Sequence, residues 1–215
     1  MFFDIHTHKY TESEIPSIRN LTFQEATTIF SSDENGLFSI GIHPWNTHSF
    51  SENGFSDLCK WASDKRLVAI GECGLDKNSK APLPTQIEVF RKQIELSEIF
   101  QKPLIIHCVG CFNELLMLRK EMNPLQLWII HGFRGKPELA QQMLKSGCAL
   151  SFGEHFNENS VRITPIDKLF VETDESNLSI DFIYKNIALV KNIDTNEINA
   201  GSKLLEQITG NQSQI

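Results

Sequence analysis

Eight short apolar runs recur along the 215 residues, separated by stretches with helical spacing, and this alternation limits the fold more than any other feature. The runs cover 2–6, 16–21, 37–43, 66–72, 103–107, 125–131, 148–153 and 168–173. Helical patterns cover 56–63, 85–101, 111–121, 137–146 and 180–191, and a last helix is expected over 196–208, after a cap at Asp194. Strands that alternate with helices build parallel sheets. Eight of them predict an α/β protein, a (β/α)8 TIM barrel. No repeat, low-complexity tract or linker interrupts the pattern, so a single domain over 1–215 is expected. The span from Lys9 to Asn35 must supply a crossover, the second strand and another crossover. The barrel is therefore expected to be compact and trimmed in its second β/α unit, with a helix reduced to 22–30.

The polar residues that end these runs carry the chemistry. Asp4-Ile-His6-Thr-His8 closes the first run, and alternate side chains of an extended chain share a face, so His6 and His8 point together. Glu72 ends the fourth run, His107 the fifth and His131 the sixth, and Asp174 directly follows the eighth. Singly, each has an ordinary explanation as a core histidine, a helix cap or an ion-pair partner. Jointly they do not, because chance would scatter some of them to strand starts and helix faces. The strand C-termini of a parallel barrel open on one face, and so many acids and imidazoles gathered there call for a cation between them. His6, His8, Glu72, His107, His131 and Asp174 are accordingly expected to be metal ligands. This set exceeds what one catalytic zinc uses, so two divalent metal ions are expected, with Glu72 bridging them. His6, His8 and Asp174 complete one site in this reading, and His107 and His131 the other. Such a pair would clamp both oxygens of an in-line displacement and lower the pKa of a bridging water. Asp174 would orient the hydroxide or take its proton, which makes Asp174 and Glu72 the catalytic candidates. Mixed imidazole and carboxylate ligands accept zinc, manganese, iron or, more weakly, magnesium.

Composition excludes other classes. A net charge of −7 and a pI near 5.5 argue against holding nucleic acid by bulk electrostatics and leave room only for local phosphate contacts. No apolar run approaches the roughly 18 residues of a membrane span, and no basic-then-apolar leader opens the chain, so a cytoplasmic protein without membrane contact is expected. Cys59, Cys73, Cys108, Cys111 and Cys148 form an odd set. Cys108-x-x-Cys111 lacks a second pair to close a zinc site, so free, buried thiols are expected.

The order Asp4-x-His6-x-His8, Gly41-Ile-His43-Pro44, Gly71-Glu72-Cys-Gly74-Leu75-Asp76, Ile106-His107, His131-Gly-Phe133-Arg-Gly135 and Glu172-Thr-Asp174 resembles the TatD-type metal-dependent hydrolases. So does Gln86-x-x-x-Phe90-x-x-Gln93 in the helical stretch after the fourth run. The resemblance extends from Asp4 to about Ser179. It implies a TIM barrel of the amidohydrolase type, a divalent-metal site and phosphodiester hydrolysis, often as a deoxyribonuclease. It also implies that the positions His6, His8, Glu72, His107, His131 and Asp174 ligate metal. The chain departs from the pattern in its short second unit, in Lys77-Asn78-Ser79-Lys80 after Leu75-Asp76, and in Val109 two residues after His107. These departures touch substrate contacts rather than metal ligands.

Substrate contacts are expected from His43, Arg134 and His155, with Lys136 beside Arg134, because a guanidinium fork suits two phosphate oxygens. Trp45 and Phe133 are the aromatic candidates for stacking on a base, His48 is expected at the surface, and Asp4 either braces a ligating histidine or ties down its loop. The leading expectation is a monomeric, exonuclease-like phosphodiesterase that meets DNA at an end. The alternatives are a hydrolase of small esters, lactones or phosphoesters from the same superfamily, a histidinol-phosphatase-like barrel, and a non-catalytic metal-binding protein.

Overall fold

The computed structural model describes residues 1–10, 14–49 and 52–212. Its strands are β1 (Asp4–Thr7), β2 (Ser17–Asn20), β3 (Leu37–Ile40), β4 (Leu67–Asp76), β5 (Leu104–Val109), β6 (Trp128–Ile130), β7 (Ala149–Phe152) and β8 (Leu169–Val171). They lie in sequence order along one sheet, and the pairings between them are parallel. The helices are α1 (Phe23–Ile29), α2 (Glu52–Ala62), α3 (Leu83–Phe100), α4 (Phe112–Met122), α5 (Pro137–Lys145), α6 (Glu158–Ile163), α7 (Ile180–Lys191) and α8 (Ala200–Gln212). This is the (β/α)8 architecture that the alternating pattern predicts. Residues 1–19 with 129–215 form one compact unit, and residues 20–128 form another.

In the first unit, the two ends of the chain meet. Asp174 pairs with Thr7 beyond the end of β8; its N–H donates to the His6 carbonyl at 2.9 Å, and its carbonyl accepts from His8 N–H at 3.3 Å. Below this bridge, Phe3, Ile5, Leu150, Phe152 and Ile183 are buried. Tyr184 of α7 donates its hydroxyl to the Phe3 carbonyl at 3.0 Å, so the polar tip of a buried ring is satisfied and β1 is anchored to α7.

The second unit is built around β4, all ten of whose residues are buried. A strand covered on both faces reads as a near-continuous apolar run, as Leu67-Val-Ala-Ile70 does. It does not stop at Glu72, as expected from the sequence, but continues to Asp76, since Cys73–Asp76 pair with Ile106–Val109 of β5. Gly74 allows this. Its φ is +133°, and a Cβ there would run into the His107 carbonyl.

α1 confirms the trimmed second β/α unit. It has seven residues and starts with a capping box in which Thr22 N–H donates to Glu25 at 2.9 Å and the Thr22 hydroxyl accepts from Glu25 N–H at 3.2 Å. Residues 11–13 of this span lie outside the described residues. β6 and β8 have three residues each, so His131, Thr173 and Asp174 stand just past strand ends. α6, with six residues, is too short for periodicity to show it. α8 starts at Ala200 rather than 196, because Asp194 first caps a 3-10 turn over Thr195–Glu197.

Candidate functional site

His6 is fully buried in β1, and His8 follows the strand, partly exposed. Asp174 faces both: its Oδ1 lies 3.8 Å from His6 Nε2 and 3.6 Å from His8 Nε2. Two donors bound to one ion at about 2.1 Å stand roughly 3–3.5 Å apart in octahedral or tetrahedral geometry. The observed separations are therefore close to those of ligands around a shared cation, and too long for direct hydrogen bonds. Asp174 holds this place from a left-handed backbone conformation, φ +53°, which an Asp tolerates better than most residues. The His131 ring lies 4.5 Å from the His6 ring, centroid to centroid.

Glu172 sets the direction of His131. This carboxylate is completely buried; its Oε1 lies 3.4 Å from His131 Nδ1 and accepts from Gly132 N–H at 2.6 Å. Burial pushes the Glu172 carboxyl up, but the facing His131 imidazole, the charge of His6 and the nearby Ser151 hydroxyl together hold it below the usual range. Glu172 therefore stays ionised and braces the imidazole, the usual partnership behind a metal-ligating histidine. Sequence reasoning missed this role, although Glu172 stands in the quoted Glu-Thr-Asp motif. Asp4 does the other thing expected of it. It accepts from the Thr173 hydroxyl at 2.6 Å, Thr173 N–H at 3.1 Å and His6 N–H at 3.3 Å, so it ties the two chain segments together by their backbones. Burial, opposed by these bonds, pushes its carboxyl up to about 7.

A cavity of about 350 Å³ adjoins this cluster, with Arg134 and His155 in its wall beside Glu172 and Asp174. Glu154, Glu175 and Asn177 complete much of the rest. Two of the expected substrate contacts are thus brought to the acid that the sequence singled out. Lys136 instead occupies the position before α5. Phe133 is corrected outright: it is 2% exposed and packs edge-on against Phe152 at 6.0 Å, because an aromatic after a three-residue strand turns inward to fill the core.

The second unit gathers its own set. Glu72 Oε1 lies 3.3 Å from His43 Nε2 and 2.8 Å from His107 Nδ1. The three donor atoms fall within the span of one cation's ligands. His43, expected as a substrate contact, thus stands with two expected ligands. His107 is held from its other nitrogen by Asp76, whose Oδ2 lies 3.0 Å from Nε2 and also accepts the Trp45 indole N–H at 2.7 Å. Burial pushes the Asp76 carboxyl up, but hydrogen bonds from Asn78 N–H, His107 and Trp45 outweigh it and hold it below its ordinary value.

Two buried glutamines of α3 explain the Gln-x-x-x-Phe-x-x-Gln spacing. Gln93 accepts from Ile42 N–H at 2.6 Å and donates to the Ile42 carbonyl, fixing the chain next to His43. Gln86 accepts from Asp76 N–H at 2.9 Å and donates to the carbonyls of Asp76 and Ala81. One helix face therefore positions both the His43 and the Asp76 segments. The five cysteines are free, four of them buried, as expected. His48 is exposed.

Imidazoles and carboxylates at the C-terminal ends of parallel strands, with separations suited to a cation, define a (β/α)8 protein with candidate metal centres. The chain belongs to the TatD related DNase family, whose profile matches residues 4–199. It is 33% identical over 159 residues to an uncharacterized metal-dependent hydrolase of Buchnera aphidicola, a match covering 68% of this chain and 58% of that protein. It is 28% identical to the 3'-5' ssDNA/RNA exonuclease TatD of Erwinia amylovora over 72% of this chain and 64% of that one. The matched region thus spans less than two thirds of the length of these curated relatives. The crystal structure of YJJV, a TatD homolog from Escherichia coli, shares the fold with a TM-score of 0.83 over 96% of this chain and 97% of that one, at 18% identity. No described helix is long and apolar enough to cross a membrane.

Proposed function

We propose that this chain is a metal-dependent phosphodiesterase that shortens single-stranded nucleic acid from an end. The placing of His6, His8 and Asp174 around one cation-sized gap carries the reading, and the family membership and nuclease-named relatives support it. We infer one divalent ion at each cluster, and His131 is grouped with His6, whose ring it faces at 4.5 Å, rather than with His107 across a Glu72 bridge as the sequence suggested. His6, His8, His131 and Asp174 hold the first, and Glu72 and His107, with His43 beside them, hold the second. Zinc, manganese and iron suit such donors, and magnesium does so more weakly. When bound, a divalent ion supplies Lewis acidity and lowers the pKa of water. The side chains do the rest: Asp174 takes the proton of the attacking water, Glu172 keeps His131 in register, and Arg134 and His155 face the phosphate from the cavity wall. We further propose that residues 1–215 work as one domain, as a monomer in the cytoplasm, where five free thiols are at home.

The test is hydrolysis of an end-labelled single-stranded oligonucleotide by the protein loaded with zinc, manganese or magnesium, beside a panel of small esters and lactones. Ladder-like shortening is expected, with the rate falling on the order of 10²–10³-fold in a His131→Ala, Asp174→Ala double variant. Turnover confined to the small esters would replace the nuclease reading, and the Glu154 and Glu175 carboxylates in the cavity wall are the feature that favours this outcome. Absence of both metal binding and turnover of every substrate would remove the enzyme reading.

A further inference from the structure

We propose that Trp45 is the stacking platform for an unpaired base of the substrate, an assignment that rests on the nucleic-acid reading above. Three tryptophans occur in the chain. Trp128 is fully buried and Trp61 nearly so, whereas Trp45 is 57% exposed. Large apolar side chains on a surface usually need no explanation when scattered. Trp45 differs from the other described exposed ones in what holds it. Its indole N–H is pinned to Asp76 at 2.7 Å, by the same carboxylate oxygen that holds His107. Its ring stands 5.0 Å from the His43 ring and 6.3 Å from the His107 ring. A half-exposed indole locked by its polar edge against a buried acid has lost its rotamer freedom before any ligand arrives, so stacking on it costs little further ordering. The position beside two candidate ligating histidines is where a nucleotide next to a reacting phosphate would place its base.

The surrounding loop suits a nucleotide rather than a purely apolar ligand. The Ser79 hydroxyl donates to the Pro44 carbonyl at 2.8 Å, stitching the segment after β4 to the turn that carries Trp45. That segment presents Lys77 and Lys80, both exposed. An exposed aromatic face and lysines on the segment stitched to it combine a base platform with charges for the backbone, the pairing by which single strands are held without sequence preference.

The experiment compares two ligands with one backbone. The metal-loaded protein is titrated by fluorescence anisotropy with a short, labelled phosphorothioate oligonucleotide, which resists hydrolysis, and with the same backbone carrying abasic residues. Wild type is expected to bind the base-bearing strand about tenfold more tightly, with quenching of tryptophan emission. Trp45→Leu is expected to bring that ratio close to one, and Trp45→Phe to keep most of it. Thermal midpoints close to wild type establish that both variants fold. An unchanged ratio in Trp45→Leu, or no preference in wild type, overturns the proposal. The two readings fail separately. Base-dependent binding lost in Trp45→Leu without hydrolysis of an unmodified strand would keep the Trp45 assignment and sink the nuclease. Hydrolysis with an undiminished preference in Trp45→Leu would do the reverse.

Discussion

His107 is gripped at both ring nitrogens, by Glu72 on one side and Asp76 on the other, and this decides how it can serve a cation. The Nδ1 side faces Glu72 and His43, so a cation held by these three groups would take Nδ1 as its donor and leave Nε2–H to Asp76. An acid in that place raises ligand basicity and fixes the ring plane. Asp76→Asn keeps the size of the side chain but removes the charge. The expected result is metal affinity at this cluster lowered by about 10–100-fold with the fold retained, measured by competition with a chromophoric chelator and checked by circular dichroism. His107 was legible in the sequence because it ends an apolar run. The role of Asp76 was not, because an acid four residues beyond Glu72 gives no sign that β4 extends to carry it.

At the scale of elements, helices and loops hold the strand ends by buried polar contacts rather than by apolar packing alone. α3 does this through Gln86 and Gln93, which sit on a face with Val89, Phe90 and Ile94. At the opposite end of β4, Arg66 donates to the carbonyls of Ile29, Ser32 and Glu34 at 3.1, 2.8 and 2.9 Å, closing the chain after α1 onto the start of the strand. Arg66→Ala leaves those carbonyls to water and is expected to cost about 2–3 kcal/mol, read as a lower thermal midpoint. Asp64 holds the same guanidinium at 2.8 Å, and the hydrogen bond from Arg66 keeps its carboxyl below the ordinary range. A depressed folded pKa means that the unfolded chain binds the proton more readily, so stability from this pair is present above the unfolded value, near 3.9, and is lost as pH falls through the folded one. Asp64→Asn is therefore expected to be less stable than wild type at pH 7, with the gap in thermal midpoint closing below about pH 4. The strands and long helices were readable from periodicity. These clamps were not, since a glutamine or arginine carries the same letter whether it is solvated or spans two loops.

For the whole molecule, the donor clusters are a cost when no cation is present, since His6 and Glu172 are fully buried and Asp4 and Glu72 nearly so. A ligand that binds only the folded state raises its stability by mass action, by about 2.7 kcal/mol at a hundredfold excess over the dissociation constant. Adding zinc or manganese to chelator-stripped protein is expected to raise the thermal midpoint by several degrees, and His6→Ala, Asp174→Ala protein is expected to show a much smaller rise. Equal rises in both would remove the first cluster as a metal site. The eight-strand count, the parallel sheet and the trimmed second β/α unit were determined by the sequence itself, because burial writes its period directly into the chain. So was the identity of the strand-end acids and histidines, which stand where apolar runs stop. Tertiary structure alone decided that Glu172 and Asp76 brace His131 and His107, that Phe133 turns inward while Trp45 stays out, and that Asp4 fastens Thr173 rather than an imidazole. Each of these depends on an angle or a contact between segments far apart in the chain, and a linear pattern of residue types carries neither.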